Sequence, residues 1–180
     1  MIAPLHTARL VLRPLEPADA PAIQRYAGDE RIARWTARIP HPYPDGAAET
    51  WIAETREQSA RREGWQLAVT RPADGALVGA IGLERDADGG SAELGYWIAV
   101  PFWGLGYATE AARRMIRFGF QTVDVATIHA NALTANAASR RVLEKAGLGY
   151  VGPATITLEM RGRNAEVACY ALARADWREP

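Results

Sequence analysis

The 180-residue sequence predicts one mixed α/β domain, with a central, mostly antiparallel sheet of about six to seven strands flanked by about four helices. Three observations predict it. Apolar residues switch between helical spacing and alternation, in the order strand, two helices, a meander of three strands, helix, strand, helix and a closing pair of strands. No repeat, low-complexity run or linker separates one part of the chain from another, so residues 1–180 read as a single domain. The composition, 48% hydrophobic with 21 Lys+Arg against 21 Asp+Glu, suits a soluble chain long enough to bury a real core.

Each element has a local reason. Residues 9–12 (Arg-Leu-Val-Leu) form a first strand closed by Pro14. Glu16-Pro17-Ala18-Asp19 is an acidic, proline-bearing helix start, and Gly28 is its stop. Three prolines within 40–44 exclude a helix there, because each removes a donor and fixes φ. Asp45 then reads as the N-cap of a helix running to Gly64, with Ala48, Ile52, Thr55 and Ser59 on one face. Strands follow at 65–70 and 77–84 around the turn Arg71-Pro72-Ala73-Asp74-Gly75, and a third at 92–100 after Asp86–Gly90. A helix over 107–121 presents Ala108, Ala112, Met115 and Ile116 to the core. A strand at 126–130, a helix from Asn136 to Ala146 ended by Gly147, and strands near 155–161 and 166–173 complete the chain.

Composition also excludes functions. Zero formal charge argues against nucleic acid as a partner, since phosphate backbones demand a basic excess. The longest charge-free stretch, Leu94 to Thr109, is broken by Pro101 and three glycines, so it is no membrane span. Met1-Ile2-Ala3-Pro4 lacks the features of a signal peptide, and the single Cys169 excludes an internal disulfide and a multi-cysteine zinc site. The expected compartment is the cytoplasm, and no metal is expected.

The most informative segment is Trp103-Gly104-Leu105-Gly106-Tyr107-Ala108-Thr109-Glu110-Ala111, which joins a strand to a helix. Small residues let backbone N–H groups converge at the positive end of the helix, which suits phosphate or pyrophosphate; a plain tight turn is the alternative. It is neither a Walker loop, lacking Gly-Lys-Ser/Thr, nor a good dinucleotide fingerprint, lacking the β-α-β context.

Taken with Gly95-Tyr96-Trp97-Ile98 and with Asn136-x-x-Ser139-x-x-Val142-Leu143-Glu144-Lys145-x-Gly147, this segment resembles the GCN5-related N-acetyltransferases (GNAT), in the RimJ/RimL-like branch. The resemblance spans nearly the whole chain. It implies a GNAT-like domain that binds acetyl-CoA as cosubstrate, with the diphosphate on the amides of Leu105, Gly106, Tyr107, Ala108 and Thr109. The pantetheine arm would pair with strand backbone at Ile98 and Val100, as an added strand does. Trp103 stands where the family pattern has Gln or Arg, and Arg113, Arg114, Arg140 and Arg141 are candidates to approach the outer phosphates. The loop before the second long helix walls the acceptor pocket in this family, which points to Trp35, His41 and Tyr43, with Trp51 and Trp97 as further wall residues. Homodimers are common among such proteins.

Acetyl transfer to an amine needs a base, polarisation of the carbonyl and a way to stabilise the departing thiolate. Glu93, Gly95 and Trp97 share one strand face, so Glu93 is the candidate general base, acting through a water beside the small Gly95. Many relatives carry a tyrosine seven residues after the asparagine, and here Leu143 occupies that position. Ser139, one turn after Asn136, is the replacement candidate at the sulfur, and Asn136 is a contact to the coenzyme as well as an N-cap. The expected activity is direct transfer of acetyl from acetyl-CoA to a primary amine, either a protein N-terminus or a small molecule. The alternatives are a catalytically silent acyl-CoA-binding module, which the missing tyrosine suggests, and a nucleotide-binding protein using the glycine loop.

Overall fold

A computed structural model describes residues 2–179 and places them around one eight-stranded sheet, with strand order β1-β2-β3-β4-β5-β6-β8-β7. The strands are β1 (Leu5–His6), β2 (Val11–Pro14), β3 (Gly64–Thr70), β4 (Leu77–Arg85), β5 (Ser91–Ile98), β6 (Thr127–Leu133), β7 (Gly149–Leu158) and β8 (Arg163–Ala173). The helices are α1 (Ala20–Ala27), α2 (Glu30–Ala33), α3 (Ala47–Arg61), α4 (Tyr107–Phe118) and α5 (Ala137–Ala146). The mixed α/β class is as the sequence predicts. The extra strand is the two-residue β1, too short to carry a periodic signal, and the extra helix is the single turn α2, capped by the Asp29 side chain.

Three boundaries differ from the sequence reading for identifiable reasons. Helix α3 starts at Ala47 and not after Asp45, because a turn closes first between the Ala47 N–H and the Pro44 carbonyl at 3.2 Å, with Gly46 at φ 78°. The same helix ends at Arg61, since Arg62 takes the left-handed cap position and Gly64 already pairs with Glu84. The penultimate strand spans 149–158, not 155–161. Pro153 hid it, and β7 is an edge strand, where a missing N–H costs nothing to the ladder.

The sheet buries a different core on each face. On one face α4 and α5 cover Leu67, Ile81, Leu83, Leu94, Ile128 and Tyr170; on the other, α1–α3 cover Leu15, Ala68, Ala80 and Trp97. Neighbouring β5 residues serve opposite faces, as strand geometry requires: Leu94 belongs to the first core and Trp97 to the second. At Gly79 the backbone of β4 passes so close to β5 that an added Cβ would sit 2.2 Å from the Trp97 carbonyl oxygen.

One pairing decides where a site can form. Strands β5 and β6 run parallel but pair only at Ser91–Thr127, Ala92–Ile128 and Glu93–His129; beyond Glu93 they diverge. The N–H of Ala99 donates to the Val78 carbonyl, so by antiparallel alternation the N–H and C=O groups of Tyr96 and Ile98 point away from β4, to the side that β6 has left.

The start of α4 is pinned to the turn between β1 and β2. Glu110, in its first turn, accepts from Thr7 Oγ1 at 2.6 Å, from the Arg9 N–H at 2.9 Å and from Arg9 Nε at 2.7 Å. Burial pushes the Glu110 carboxyl up, but the hydrogen bonds from Thr7 and Arg9 outweigh it and hold the group below its ordinary 4.5. Its stabilisation is therefore complete above that value and is lost as pH falls through the lowered one. Glu110→Gln should narrow its stability deficit against wild type on acidification from about pH 5 to about pH 3, measured by urea unfolding. Gly79→Ala should cost about 1–3 kcal/mol by forcing β4 and β5 apart, read as a fall of several degrees in thermal midpoint.

Candidate active site

The gap between β5 and β6 opens into a cleft of about 1620 Å³ that crosses the sheet. Its two ends are chemically distinct. On the α4 and α5 side it is lined by Gly104, Gly106, Tyr107, Ala108, Thr109, Asn136, Ser139 and Arg141; on the α1–α3 side by Trp35, Arg38, Tyr43, Trp51, Glu93, Gly95 and Trp97.

The α4 end suits a diphosphate. Gly104 and Gly106 adopt φ of 78° and 81°, which a glycine holds without strain, and they bring the chain straight into α4. The first amides of a helix have no acceptor within it, and here those of Tyr107, Ala108 and Thr109 open onto the cleft. A Cβ added at Gly104 would meet nothing within 4 Å, and one at Gly106 only an Arg9 nitrogen at 3.4 Å, so a ligand can lie against bare backbone. Leu105 belongs to this loop, but its side chain is exposed and turned off the cleft lining. Val100 stands outside the strand in a short 3-10 turn, packed against the second core, and does not line the cleft; Ile98 does.

Trp103 does not replace the phosphate contact of Gln or Arg. Its Nε1 donates to the Ile98 carbonyl at 2.6 Å. Among the four arginines singled out, Arg113 clamps the end of α5 through the Lys145 carbonyl at 2.7 Å, Arg114 donates to the His6 carbonyl at 3.3 Å, and Arg140 donates to the Tyr170 hydroxyl at 3.2 Å. Arg141 lines the cleft, together with Lys145 one turn further along α5. Arg9, which sequence spacing did not single out, lies over the Tyr107 ring at 5.0 Å, beside Gly106, and donates to the Leu105 carbonyl at 3.0 Å.

The helix α5 presents its first turn to the gap. Asn136 acts as N-cap, its Oδ1 accepting from the Ser139 N–H at 3.0 Å. Ser139 Oγ lies 2.8 Å from the Tyr96 hydroxyl, which reaches it from β5. Leu143 is 1% exposed, locked in the first core, and supplies no polar atom. Tyr96 was invisible as a site residue, because within the strand pattern it reads only as one more half-buried aromatic.

At the other end Glu93 and Glu84 are directly opposite on β5 and β4, and Arg38 donates to both: to Glu84 in a short ion pair and to Glu93 at 3.4 Å. Asn131 on β6 donates to the other Glu93 oxygen at 3.3 Å. Sequence reasoning found Glu93 by strand alternation but not Arg38, Glu84 or Asn131, whose contacts join three elements distant in sequence. Beside Glu93, an added Cβ at Gly95 would meet nothing within 4 Å, so the floor there is open. Trp35, Tyr43, Trp51 and Trp97 wall this space, and burial pushes the Tyr43 phenol up. His41 stands off the cleft; its Nδ1 lies 3.2 Å from the Gly28 carbonyl oxygen. The tip of the β7–β8 hairpin roofs this end, with Arg161 donating to the carbonyls of Ala33 and Ile39. Among the described residues, no group of three or more His, Cys, Asp or Glu side chains is placed to hold a metal ion, and no helix is long and apolar enough to cross a membrane.

Comparison with known proteins gives the same answer from sequence and from fold. The Acetyltransferase (GNAT) domain family matches residues 9–149. A Bacillus subtilis (strain 168) protein, YdaF, named as a candidate ribosomal N-acetyltransferase, is 31% identical over 172 residues, covering 93% of each chain. In fold, RimL, a ribosomal L7/L12 α-N-protein acetyltransferase solved with coenzyme A, superposes with a TM-score of 0.85 over 95% of this chain and 98% of its own, at 14% identity. Mycobacterium smegmatis RimJ, solved with a CoA disulfide, gives 0.80 over 96% and 87% at 24% identity. The protein therefore belongs to the GNAT family of acetyltransferases.

Proposed function

We propose that the chain transfers acetyl from acetyl-CoA to a primary amine by direct attack, with both substrates in the one cleft. A protein N-terminal amine is the first acceptor and a small amine the second. The observation that carries this reading is the continuity of the cleft: an amide-lined helix start and a carboxylate-and-aromatic floor open onto the same gap in the sheet.

The diphosphate lies on the amides from Leu105 to Thr109, with Arg141 on the cleft wall to meet its charge, and the pantetheine arm follows the edge of β5 at Tyr96 and the Ile98 N–H, the Ile98 carbonyl being taken by Trp103. Acetyl-CoA supplies the activated thioester. Glu93 takes the proton from the attacking amine through a water, with Arg38 and Asn131 fixing the carboxylate. An N-terminal amine has an ordinary pKa of about 7.7–8.0 against about 10.4 for lysine, so a modest base suffices. Trp35, Tyr43, Trp51 and Trp97 enclose the acceptor, and Gly95 leaves it room. Ser139 directs its hydroxyl at the sulfur and stabilises the thiolate as the C–S bond breaks. Asn136 holds that turn of α5 in place. The relatives YdaF, named as a candidate ribosomal N-acetyltransferase, and RimL, an α-N-protein acetyltransferase, support a protein N-terminus as acceptor. The cytoplasm remains the proposed compartment, with Cys169 a free thiol.

Acetyl-CoA and CoA should raise the thermal midpoint while ATP and NAD leave it unchanged; protection by ATP equal to that by acetyl-CoA would sink the ligand assignment. Thiol release from acetyl-CoA should exceed hydrolysis for at least one member of a panel of N-terminal peptides and small amines. Glu93→Gln should lower kcat about 100-fold while the dissociation constant for acetyl-CoA stays within about twofold. A rate retained in that variant would remove Glu93 from the mechanism.

A further inference from the structure

Tyr96 sits on the stretch of β5 that β6 has left, on the face covered by α4 and α5. Its hydroxyl bridges the gap to the first turn of α5, 2.8 Å from Ser139 Oγ and 3.4 Å from the Ser139 carbonyl oxygen. Burial pushes the phenol up to about 12, with the Ser139 hydrogen bond opposing part of that rise, so it stays protonated at any ordinary working pH. A neutral phenol has one proton to give, and a serine hydroxyl has one proton and two lone pairs.

We infer that Tyr96 is a positioning residue for Ser139: its O–H donates to Ser139 Oγ and so turns the serine proton into the cleft, toward the departing sulfur. This rests on the acetyl-transfer reading above. Without such a donor, the serine hydroxyl is free to rotate its proton toward a backbone carbonyl three or four residues back. Here the residue is held from two sides, with its N–H on Asn136 Oδ1 at 3.0 Å and its Oγ under Tyr96. The N–C bond forms, the C–S bond breaks, and its electron pair goes to sulfur. The amine proton goes to Glu93 and on to water, and the thiolate, stabilised by the serine O–H, takes its proton from water. Tyr96 itself neither gains nor loses one. The arrangement accounts for how the site manages with a core leucine at position 143.

The test is a double-mutant cycle of Tyr96→Phe and Ser139→Ala, with kcat and KM from thiol release and acetyl-CoA affinity from calorimetry. Tyr96→Phe should lower kcat about tenfold, with KM for acetyl-CoA and its dissociation constant within about twofold, and should have no further effect in the Ser139→Ala background. A kcat within about twofold of wild type, or losses that multiply in the double variant, would overturn the inference. Replacing Tyr96 by 3,5-difluorotyrosine keeps the ring and acidifies the phenol, so kcat should fall at high pH as the donor ionises, and no such limb should appear with Ser139→Ala. Its absence in the wild-type background would also overturn the inference. Lack of any thiol release from wild type across the amine panel would instead defeat the transferase reading, and this inference with it, and is distinguishable because no variant is then needed.

Discussion

The parallel pairing of β5 with β6 holds for three residue pairs and then fails, and the rest of the site follows from that failure. A strand edge left open inside a sheet exposes backbone donors and acceptors that water, a ligand or another strand must satisfy. Covered on one face by α4 and α5 and on the other by α1–α3, this edge forms the floor of a cleft reachable from both sides. The glycine loop and the start of α4 border one mouth, and Glu93, Gly95 and Trp97 border the other. Under the proposed function, a thioester laid along the edge would meet an acceptor arriving from the opposite face.

Two polar anchors keep the halves in register. On the helix side, Glu110 ties the first turn of α4 to Thr7 and Arg9, so the amides that would cradle a diphosphate are fixed by the turn between β1 and β2. On the α1–α3 side, Arg38 spans Glu84 and Glu93 from the loop after α2, joining that loop to β4 and β5. The two carboxylates face each other across adjacent strands, where like charges repel, and the guanidinium between them relieves that repulsion. The chain carries no net charge, yet charge is concentrated at these junctions. In the proposed reading, backbone amides and not a basic patch receive the phosphates.

Much of this was legible along the chain. The mixed fold, the capping of α5 by Asn136 and its end at Gly147, the turn into α4 and the shared face of Glu93, Gly95 and Trp97 all arise from contacts within a few residues. What was misread depends on hydrogen bonds and edge positions that the residue pattern does not carry. The start of α3 moved because a turn at Pro44 closed first, β7 tolerates Pro153 because it is an edge, and His41 turns to the Gly28 carbonyl instead of the cleft. Trp103, which stands where the family pattern has Gln or Arg, gives its indole N–H to the Ile98 carbonyl.

The sequence alone determined the class of fold, the GNAT resemblance, the helix-start amides and the candidate base, because period, capping and glycine placement are local and written in consecutive residues. Only the tertiary structure decided where β5 and β6 part, that Tyr96 meets Ser139 across 43 positions of chain, that Arg38 bridges Glu84 and Glu93, and that Arg9 comes to Gly106. Such contacts depend on sheet order and on packing against both faces, and no local pattern encodes which distant side chain will arrive.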